Sequence, residues 1–328
     1  MTYNNKNKRK FLVVGLGPIG GIFSCHLKNS GCSTYGIDVR QDYVEAIREK
    51  GLRINGFTSC KVNLDQVSTH LEDLEEKEFD YVIVSVKTPY LPDVVSMLKK
   101  GLNNDFKVVA MQNGIDNEEY LARFFGKERA MRIVINFAGN MTSPGIINMT
   151  FFHKPNYVGC FCGEEECECG HAKDLANLMT RAGLETEPTT EVKKYSWRKT
   201  ILVASLAPVS AILGMTMAEV MTNGEARSIV VKLLKEAIAV AKANGFDYGE
   251  GFFDFCLDYL STAGHHKPSM LIDIEDGNPT EIEYINGKIA YHGHLLNVPV
   301  LLNTSITSMI KAKERLEMEK KRKNTECK

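Results

Sequence analysis

A glycine pattern of a kind that binds phosphate groups lies near the start of the chain. Gly15, Gly17 and Gly20 follow an apolar run with the spacing Gly-x-Gly-x-x-Gly, and Pro18 and Ile19 lie inside the pattern. In such a turn the first glycine permits a tight bend, the second lets a pyrophosphate approach the backbone, and the third allows close helix–strand packing. The pattern therefore predicts a dinucleotide site, although a purely structural glycine turn would use the same residues.

An acidic residue follows at the distance expected for ribose recognition. Asp38 comes eighteen residues after Gly20, at the end of a second strand-like run. A carboxylate there accepts hydrogen bonds from the ribose diol and repels a 2′-phosphate, which favours NAD(H). Arg40 lies two residues further on and could bind that phosphate, so NADP(H) stays open. The plainer interpretation is that Asp38 only caps a turn.

Apolar runs alternate with helical patterns through the first half of the chain. Further strand-like runs at 80–86 and 107–111 lead into polar loops that contain Lys87 and the pair Gln112-Asn113. Strands that alternate with helices predict an α/β domain with a doubly wound parallel sheet of the Rossmann type, whose ligand lies beyond the carboxyl ends of the strands. We therefore expect these loops and the glycine turn to line one crevice, although Asn-Gly alone also suits an ordinary turn.

The pattern becomes helical after residue 190. The run 201–218 carries no charge, but Pro208 and several small polar residues lower its hydrophobicity, which indicates buried helices rather than a membrane span. The switch in periodicity predicts two domains. They are a Rossmann dinucleotide-binding domain at 1–190 and an all-helical substrate and catalytic domain at 191–328.

Several short motifs occur in one order along nearly the whole chain. They are the Gly15 turn, Gln112-Asn113-Gly114, Trp197-Arg198-Lys199, Ser269-Met270 and the string Thr280-Glu281-Ile282-Glu283-Tyr284-Ile285-Asn286-Gly287. In this combination the chain resembles the ketopantoate reductase (2-dehydropantoate 2-reductase) family, and the last string is the most specific part. The resemblance implies a Rossmann domain, a helical substrate domain, and hydride transfer from NAD(P)H to the keto group of a 2-oxo acid such as ketopantoate.

The resemblance also implies roles for individual residues. By position, Lys199 is the catalytic proton donor with Glu281 as its partner in the cleft, Asn113 and Ser269 hold the substrate, and Asn113 and Lys87 lie beside the cofactor. The residue chemistry fits, because an ammonium group can stabilise the alkoxide that forms as hydride reaches a ketone and then protonate it. The uncharged run after Lys199 indicates partial burial, whereas an isolated lysine would by default be a solvated helix position.

Two positions depart from the family pattern. Members usually carry asparagines four and eight residues after the lysine, where this chain has Val203 and Ala207. Losing both amides predicts a more apolar pocket than ketopantoate favours. Asp38 is a further departure, since many members of the family prefer NADP(H). The alternative is an NAD-dependent D-2-hydroxyacid dehydrogenase for branched or aromatic substrates. A second alternative, from a different functional class, is a protein that binds NAD(P) without catalysing a reaction.

Four of the nine cysteines cluster as Cys160-x-Cys162 and Cys167-x-Cys169. Paired zinc ligands are usually separated by roughly two to four residues, so we expect no metal here. We interpret the segment as a hairpin with both sulfurs of Cys160 and Cys162 on one strand face, and all the cysteines as reduced thiols of a cytoplasmic protein. Metal binding by the cluster stays open.

Composition and charge exclude several functional classes. The 328 residues include 40 basic and 41 acidic side chains, so the formal charge of −1 provides no field for nucleic acid or an anionic membrane. The basic start followed by an apolar run lacks the cleavage site of a secretory signal. We expect a cytoplasmic enzyme whose partner is a small 2-oxo acid, and a homodimer, because helical second domains of this sort often pair.

Overall fold

The computed structural model describes residues 8–103, 105–162 and 170–326. Its strands are β1 Lys10–Val14, β2 Ser33–Ile37, β3 Leu52–Gly56, β4 Cys60–Val62, β5 Gln66–Ser68, β6 Tyr81–Val84, β7 Lys107–Ala110, β8 Ala130–Val134, β9 Phe137–Ser143, β10 Ile146–Phe152, β11 Asn156–Cys160 and β12 Thr186–Pro188. Its α-helices are α1 Pro18–Asn29, α2 Gln41–Lys50, α3 Leu91–Gly101, α4 Asn117–Phe125, α5 Gly170–Arg181, α6 Val192–Leu213, α7 Met217–Thr222, α8 Gly224–Ala243, α9 Phe252–Ser261, α10 Ser269–Glu275, α11 Asn286–Leu295 and α12 Leu301–Glu326.

The chain divides into two compact units. The first contains the residues up to 112 and 116–192, and the second contains 113–115 and the residues from 193 onward. The sequence change after residue 190 therefore falls close to the point where the chain enters the helical unit. Three residues that follow β7 also belong to the helical unit.

An eight-stranded sheet forms the centre of the first unit. Its strand order is β12-β11-β8-β7-β6-β1-β2-β5, and neighbouring strands are parallel except for β11, which runs antiparallel to β8. Successive residues of β1 point to opposite faces, so Phe11 and Val13 join one hydrophobic core while Leu12 and Val14 join another. Both faces are therefore covered, as the uninterrupted apolar strands predict.

A second, four-stranded sheet packs against α1 in the same unit, and we did not predict it. Its order is β4-β3-β10-β9, with β3 parallel to β10 and the other pairs antiparallel. The approach to α1 is close, since a Cβ atom at Gly21 would overlap the Ile147 side chain of β10. Sequence periodicity does not reveal this sheet, because its strands are short and its central pair joins segments roughly ninety residues apart.

Helices build the second unit. Most of the uncharged run forms the buried part of α6, which continues through Pro208 and ends at Leu213. Ile201, Ala204 and Ala207 of α6 pack in a core with residues of α8, α10 and α11. Among the described residues, no helix has the length and apolar character needed to cross a membrane.

Candidate functional site

The glycine turn connects β1 to α1. A Cβ atom at Gly17 would meet nothing within 4 Å, whereas one at Gly20 would overlap the Gly15 carbonyl oxygen and the Ser85 Oγ atom. The second glycine therefore borders open space and the third allows helix and strand to pack closely, as their spacing predicts. Because α1 begins with Pro18 immediately after Gly17, the free N–H groups of its first turn lie beside that space.

Asp38 is tied to the glycine turn by its carboxylate. Its Oδ2 atom accepts a hydrogen bond from the Leu16 N–H at 2.8 Å, and its Oδ1 atom accepts one from the Arg40 N–H at 3.1 Å. Asp38 therefore does cap backbone N–H groups of the neighbouring turns, as the plainer interpretation predicts. This capping leaves ribose binding possible, because each carboxylate oxygen can accept a second hydrogen bond.

Two side chains beyond Asp38 define the electrostatics of this edge. The Arg40 guanidinium pairs with Asp42 at 2.8 Å, and this hydrogen bond raises the pKa of Arg40. Burial, together with the Asp38 charge, raises the pKa of the Tyr43 phenol. Tyr43 therefore stays neutral, and the Arg40 side chain is held by an acidic neighbour.

Lys87 lies at the same edge of the sheet. It follows β6, which pairs with β1, and its carbonyl accepts a hydrogen bond from the Tyr90 N–H at 3.0 Å at the start of a short 3₁₀ turn. The structure thus places the glycine turn, Asp38 and Lys87 after three neighbouring parallel strands, β1, β2 and β6. Pro18 and Ile19 lie in the first turn of α1.

Asn113 and Glu281 come together in the second unit. The Asn113 Nδ2 atom donates to the Glu281 Oε2 atom at 3.5 Å, and both residues are half-buried. The adjoining Gly114 has φ +87°, and a Cβ atom there would overlap the Tyr284 carbonyl oxygen. Asn113 and Gly114 therefore pack directly on the string that contains Glu281.

Lys199 is half-buried on α6, between Trp197 and Ile201, which both belong to one hydrophobic core of the second unit. Ile115 after the Gln-Asn-Gly turn, Ile201 of α6 and Ile282 of the string all belong to that core. Asn286 also donates from Nδ2 to the Ala204 carbonyl oxygen of α6 at 2.8 Å. Three of the segments expected to carry site residues thus share one core.

Ser269 begins α10, where its side chain is exposed. A residue that sequence reasoning missed, Glu314 of α12, holds the start of the string, because its Oε2 atom accepts hydrogen bonds from the Thr280 N–H at 2.8 Å and the Thr280 hydroxyl at 2.6 Å. Nothing in the local sequence pairs residues 280 and 314.

The cysteine cluster differs from our expectation. Cys160 and Cys162 are disulfide-bonded, so reduced thiols are the wrong prediction for these two, and β11 ends at Cys160, so they do not share a strand. Free thiols are present at Cys25, Cys32, Cys60 and Cys256. Cys167 and Cys169 lie outside the described residues. Within the described part of the chain, no group of three or more potential ligands is arranged to hold a metal ion.

Comparison with protein families gives matches over both halves of the chain. The model described as "Ketopantoate reductase PanE/ApbA" matches residues 11–163, and the model for "Ketopantoate reductase PanE/ApbA C terminal" matches residues 191–314. The chain belongs to the ketopantoate reductase family. The resemblance inferred from the sequence motifs is therefore confirmed.

Individual members of the ketopantoate reductase family resemble the chain over nearly its full length. A 2-dehydropantoate 2-reductase from Pyrococcus horikoshii is 30% identical over 94% of this chain and 98% of its own. The crystal structure of 2-dehydropantoate 2-reductase from Methylococcus capsulatus is 26% identical, with a TM-score of 0.81 over 94% of this chain and 97% of that one. A ternary structure of D-mandelate dehydrogenase with NADH and anilino(oxo)acetate shares the fold at 23% identity, with a TM-score of 0.84 over 94% and 99%.

Proposed function

We propose that this chain is a nicotinamide-dependent reductase that converts a 2-oxo acid to its D-2-hydroxy acid, with 2-dehydropantoate as the first candidate substrate. The observation that carries the proposal is the Asn113–Glu281 hydrogen bond, beside a core shared with the helix of Lys199. An amide, a carboxylate and an ammonium group together can bind a keto acid and protonate its oxygen.

The glycine turn supports a dinucleotide as the cofactor. The open space at Gly17 and the N–H groups at the start of α1 suit a pyrophosphate, which the positive end of the helix dipole would also stabilise. When bound, the cofactor would supply the hydride. Lys87 is the candidate to lie beside the nicotinamide, and Asn113 to contact both cofactor and substrate.

We infer NAD(H) as the preferred form of the cofactor. The Asp38 carboxylate would accept hydrogen bonds from the ribose diol and repel a 2′-phosphate. Arg40 pairs with Asp42 through Nε and Nη2, which leaves its Nη1 atom as the donor that could bind a 2′-phosphate. Since an exposed ion pair of this kind contributes only about 0–1 kcal/mol, NADP(H) stays the second choice rather than an excluded one.

Lys199 is the proposed proton donor. Its ammonium group would stabilise the negative charge that develops on the keto oxygen and then transfer a proton to it. Glu281 would balance the lysine charge in a partly buried setting, where an isolated ammonium is costly. Asn113 and Ser269 would bind the substrate's carboxylate and hydroxyl groups.

A second candidate substrate class is favoured by the apolar residues that follow Lys199 on α6. Val203 is half-buried one turn after the lysine, and Ala207 is buried one turn further. Neither side chain can pair with a substrate hydroxyl, so a branched or aromatic 2-oxo acid would lose less on binding than ketopantoate would. The alternative function is therefore an NAD-dependent D-2-hydroxyacid dehydrogenase.

The test is a spectrophotometric assay of cofactor oxidation at 340 nm. The purified protein is given NADH or NADPH with 2-dehydropantoate and with a panel of branched and aromatic 2-oxo acids. We expect turnover with at least one of these acids and a higher rate with NADH. Turnover of 2-dehydropantoate supports the first substrate, and turnover confined to bulky apolar acids supports the second. No turnover across the panel would favour a non-catalytic NAD(P)-binding protein.

The Lys199→Ala variant tests the catalytic assignment. We expect kcat to fall roughly 10²–10⁴-fold, the usual contribution of a positioned acid, while the Kd for NADH changes little. Lys232→Ala is the matched control, since Lys232 is an exposed lysine on α8 of the same unit. Near-normal turnover by Lys199→Ala would overturn the proton-donor role.

A further inference from the structure

A buried ion pair lies in the first unit, close to the end of β7. Arg132 of β8 and Glu118 of α4 are each about 2% exposed, although an arginine and a glutamate are rarely buried to this degree. In the sheet register Arg132 is the neighbour of Ala110, the last residue of β7. The pair therefore lies at the end of the strand that leads into Gln112 and Asn113.

The Arg132 guanidinium contacts the Gln112 carbonyl and the Glu118 carboxylate. Its Nη2 atom donates to the Gln112 carbonyl oxygen at 2.6 Å, and its Nη1 atom lies 3.5 Å from the Glu118 Oε2 atom. Glu118 is in the first turn of α4, where the helix dipole also stabilises a negative charge. The planar, permanently charged guanidinium thus donates a hydrogen bond to a backbone carbonyl while a carboxylate lies within ion-pair distance.

The Gln112 carbonyl belongs to the peptide group that joins Gln112 to Asn113. The peptide bond is planar, so fixing the carbonyl of Gln112 also fixes the direction of the Asn113 N–H in the same plane. The next residue, Gly114, has φ +87° and packs on the Tyr284 carbonyl oxygen, so Asn113 lies between two backbone positions with defined contacts. Arg132 therefore restrains the position from which the Asn113 side chain reaches Glu281.

We propose that Arg132, supported by Glu118, is a positioning residue for Asn113. Through the Gln112 carbonyl it holds the Asn113 amide within hydrogen-bond reach of Glu281 and of the substrate. This inference rests on the proposed function for its kinetic consequence, although the backbone restraint itself does not. A displacement of about 1 Å in a positioning group can reduce the rate roughly 100-fold, which sets the size of the expected effect.

Stability and positioning can be separated experimentally. Removing one partner of a buried ion pair leaves an uncompensated charge, whereas replacing both with apolar side chains of similar volume is often neutral for stability. The double variant Glu118→Leu/Arg132→Met, which leaves neither a charge nor an unpaired polar group at these buried positions, should therefore fold while the Gln112 carbonyl loses its guanidinium donor. Arg132→Lys is the second variant, because it keeps the charge beside Glu118 and loses the forked geometry.

The matched control is Arg129→Met. Arg129 donates from Nε to the Phe106 carbonyl oxygen at 3.0 Å, so it holds a backbone carbonyl before β7 as Arg132 holds one after it. This variant removes an arginine–carbonyl contact from the same pair of strands, at the end remote from Asn113. We expect it to keep wild-type kcat/KM.

For the folded double variant we expect kcat/KM for the 2-oxo acid to fall about 10–100-fold. The Kd for NADH should change less than kcat/KM does, because the glycine turn is untouched and only the proposed contact of Asn113 to the cofactor is displaced. Amide hydrogen exchange at Asn113 and Gly114 should become faster. Arg132→Lys should lose activity to a smaller extent, because its ammonium group keeps the positive charge beside Glu118.

Wild-type kcat/KM in the folded double variant, or in Arg132→Lys if the double variant does not fold, would overturn the proposal. Failure of the proposed function would look different, because the wild-type protein would then reduce no 2-oxo acid. In that case, amide hydrogen exchange at Asn113 and Gly114 tests whether Arg132 restrains the backbone there. Unchanged exchange at Asn113 and Gly114 would overturn it, and faster exchange in the double variant but not in Arg129→Met would support it.

Discussion

Gly17 and Gly20 lie in one turn, yet alanine should affect them in opposite ways. Gly17 has φ −55°, which alanine adopts readily, and a Cβ atom there meets no other atom within 4 Å. In Gly17→Ala the methyl group would occupy the space proposed for the pyrophosphate. We expect an unchanged unfolding midpoint and a Kd for NADH raised about tenfold, which corresponds to about 1.4 kcal/mol.

Gly20→Ala is the contrasting variant. Its Cβ atom would overlap the Gly15 carbonyl oxygen and Ser85 Oγ, and overpacking of this kind costs about 1–3 kcal/mol, more than the roughly 1 kcal/mol gained in helix propensity. We expect a lower unfolding midpoint by calorimetry together with weaker NADH binding. A Gly17→Ala variant that binds NADH as the wild type does would count against a pyrophosphate at this turn.

At the scale of single elements, α1 carries a titrating side chain that links two other segments. The His26 Nδ1 atom donates to the Ala182 carbonyl oxygen at 2.8 Å, which leaves Nε2, 3.0 Å from the Thr58 hydroxyl, as the acceptor. Burial lowers the pKa of His26, and the hydrogen bond to Ala182 offsets this only partly. The native state therefore holds His26 neutral.

The sign of the pH effect follows from that lowered pKa. Below about pH 6.5 the unfolded chain binds a proton at this position that the folded chain resists, so the free energy of unfolding falls as the pH decreases. Above about pH 6.5 His26 is neutral in both states and does not lower the free energy of unfolding. As the pH falls from there toward the folded-state pKa of His26, the free energy of unfolding decreases by at most about 1.4 kcal/mol per pH unit.

The His26→Gln variant tests this effect by urea unfolding at pH values between about 7 and 5. We expect a smaller loss of stability across that range than in the wild-type protein, even if the variant is less stable at pH 7. His294→Gln, at an exposed position on α11, is the control and should keep the wild-type pH dependence. Parallel curves for His26→Gln and the wild type would refute the assignment.

Local sequence signals identify some elements and miss others for a physical reason. α1 ends at Asn29 and Gly31 follows with φ +97°, as the glycine predicts. The buried strands of the main sheet also appear where apolar runs predict them. The four-stranded sheet was missed because its strands are stabilised by distant partners, so short segments such as Cys60–Val62 carry no signal of their own.

At the scale of the whole molecule, counting reactive thiols tests whether Cys160 and Cys162 are disulfide-bonded. Because Cys160 and Cys162 are disulfide-bonded, the unfolded protein should react with a thiol reagent at no more than seven of its nine cysteines. After treatment with dithiothreitol all nine should react, which serves as the internal control. Nine reactive thiols in a sample purified without reductant would contradict the disulfide bonds.

The sequence predicts candidate site residues where they form compact motifs, and their roles stay predictions. The glycine turn, Asp38 and the family were identified from the sequence, and the family assignment is confirmed. The pairing of Arg132 with Glu118 and of Thr280 with Glu314 was not identified. Both pairs join residues that are distant in sequence, and one charged residue in a buried strand does not reveal which carboxylate neutralises it.

Residues 113–115 belong to the second unit although both of their flanking segments belong to the first. A chimaera assembled from two homologous parents with one crossover near residue 192 would therefore combine Asn113, Gly114 and Ile115 of one parent with the helical unit of the other. Ile115 would then pack into a core inherited from a different parent. Recombination between relatives thus needs crossovers on both sides of these three residues as well as the one near residue 192, so that the helical unit is exchanged as two pieces of sequence.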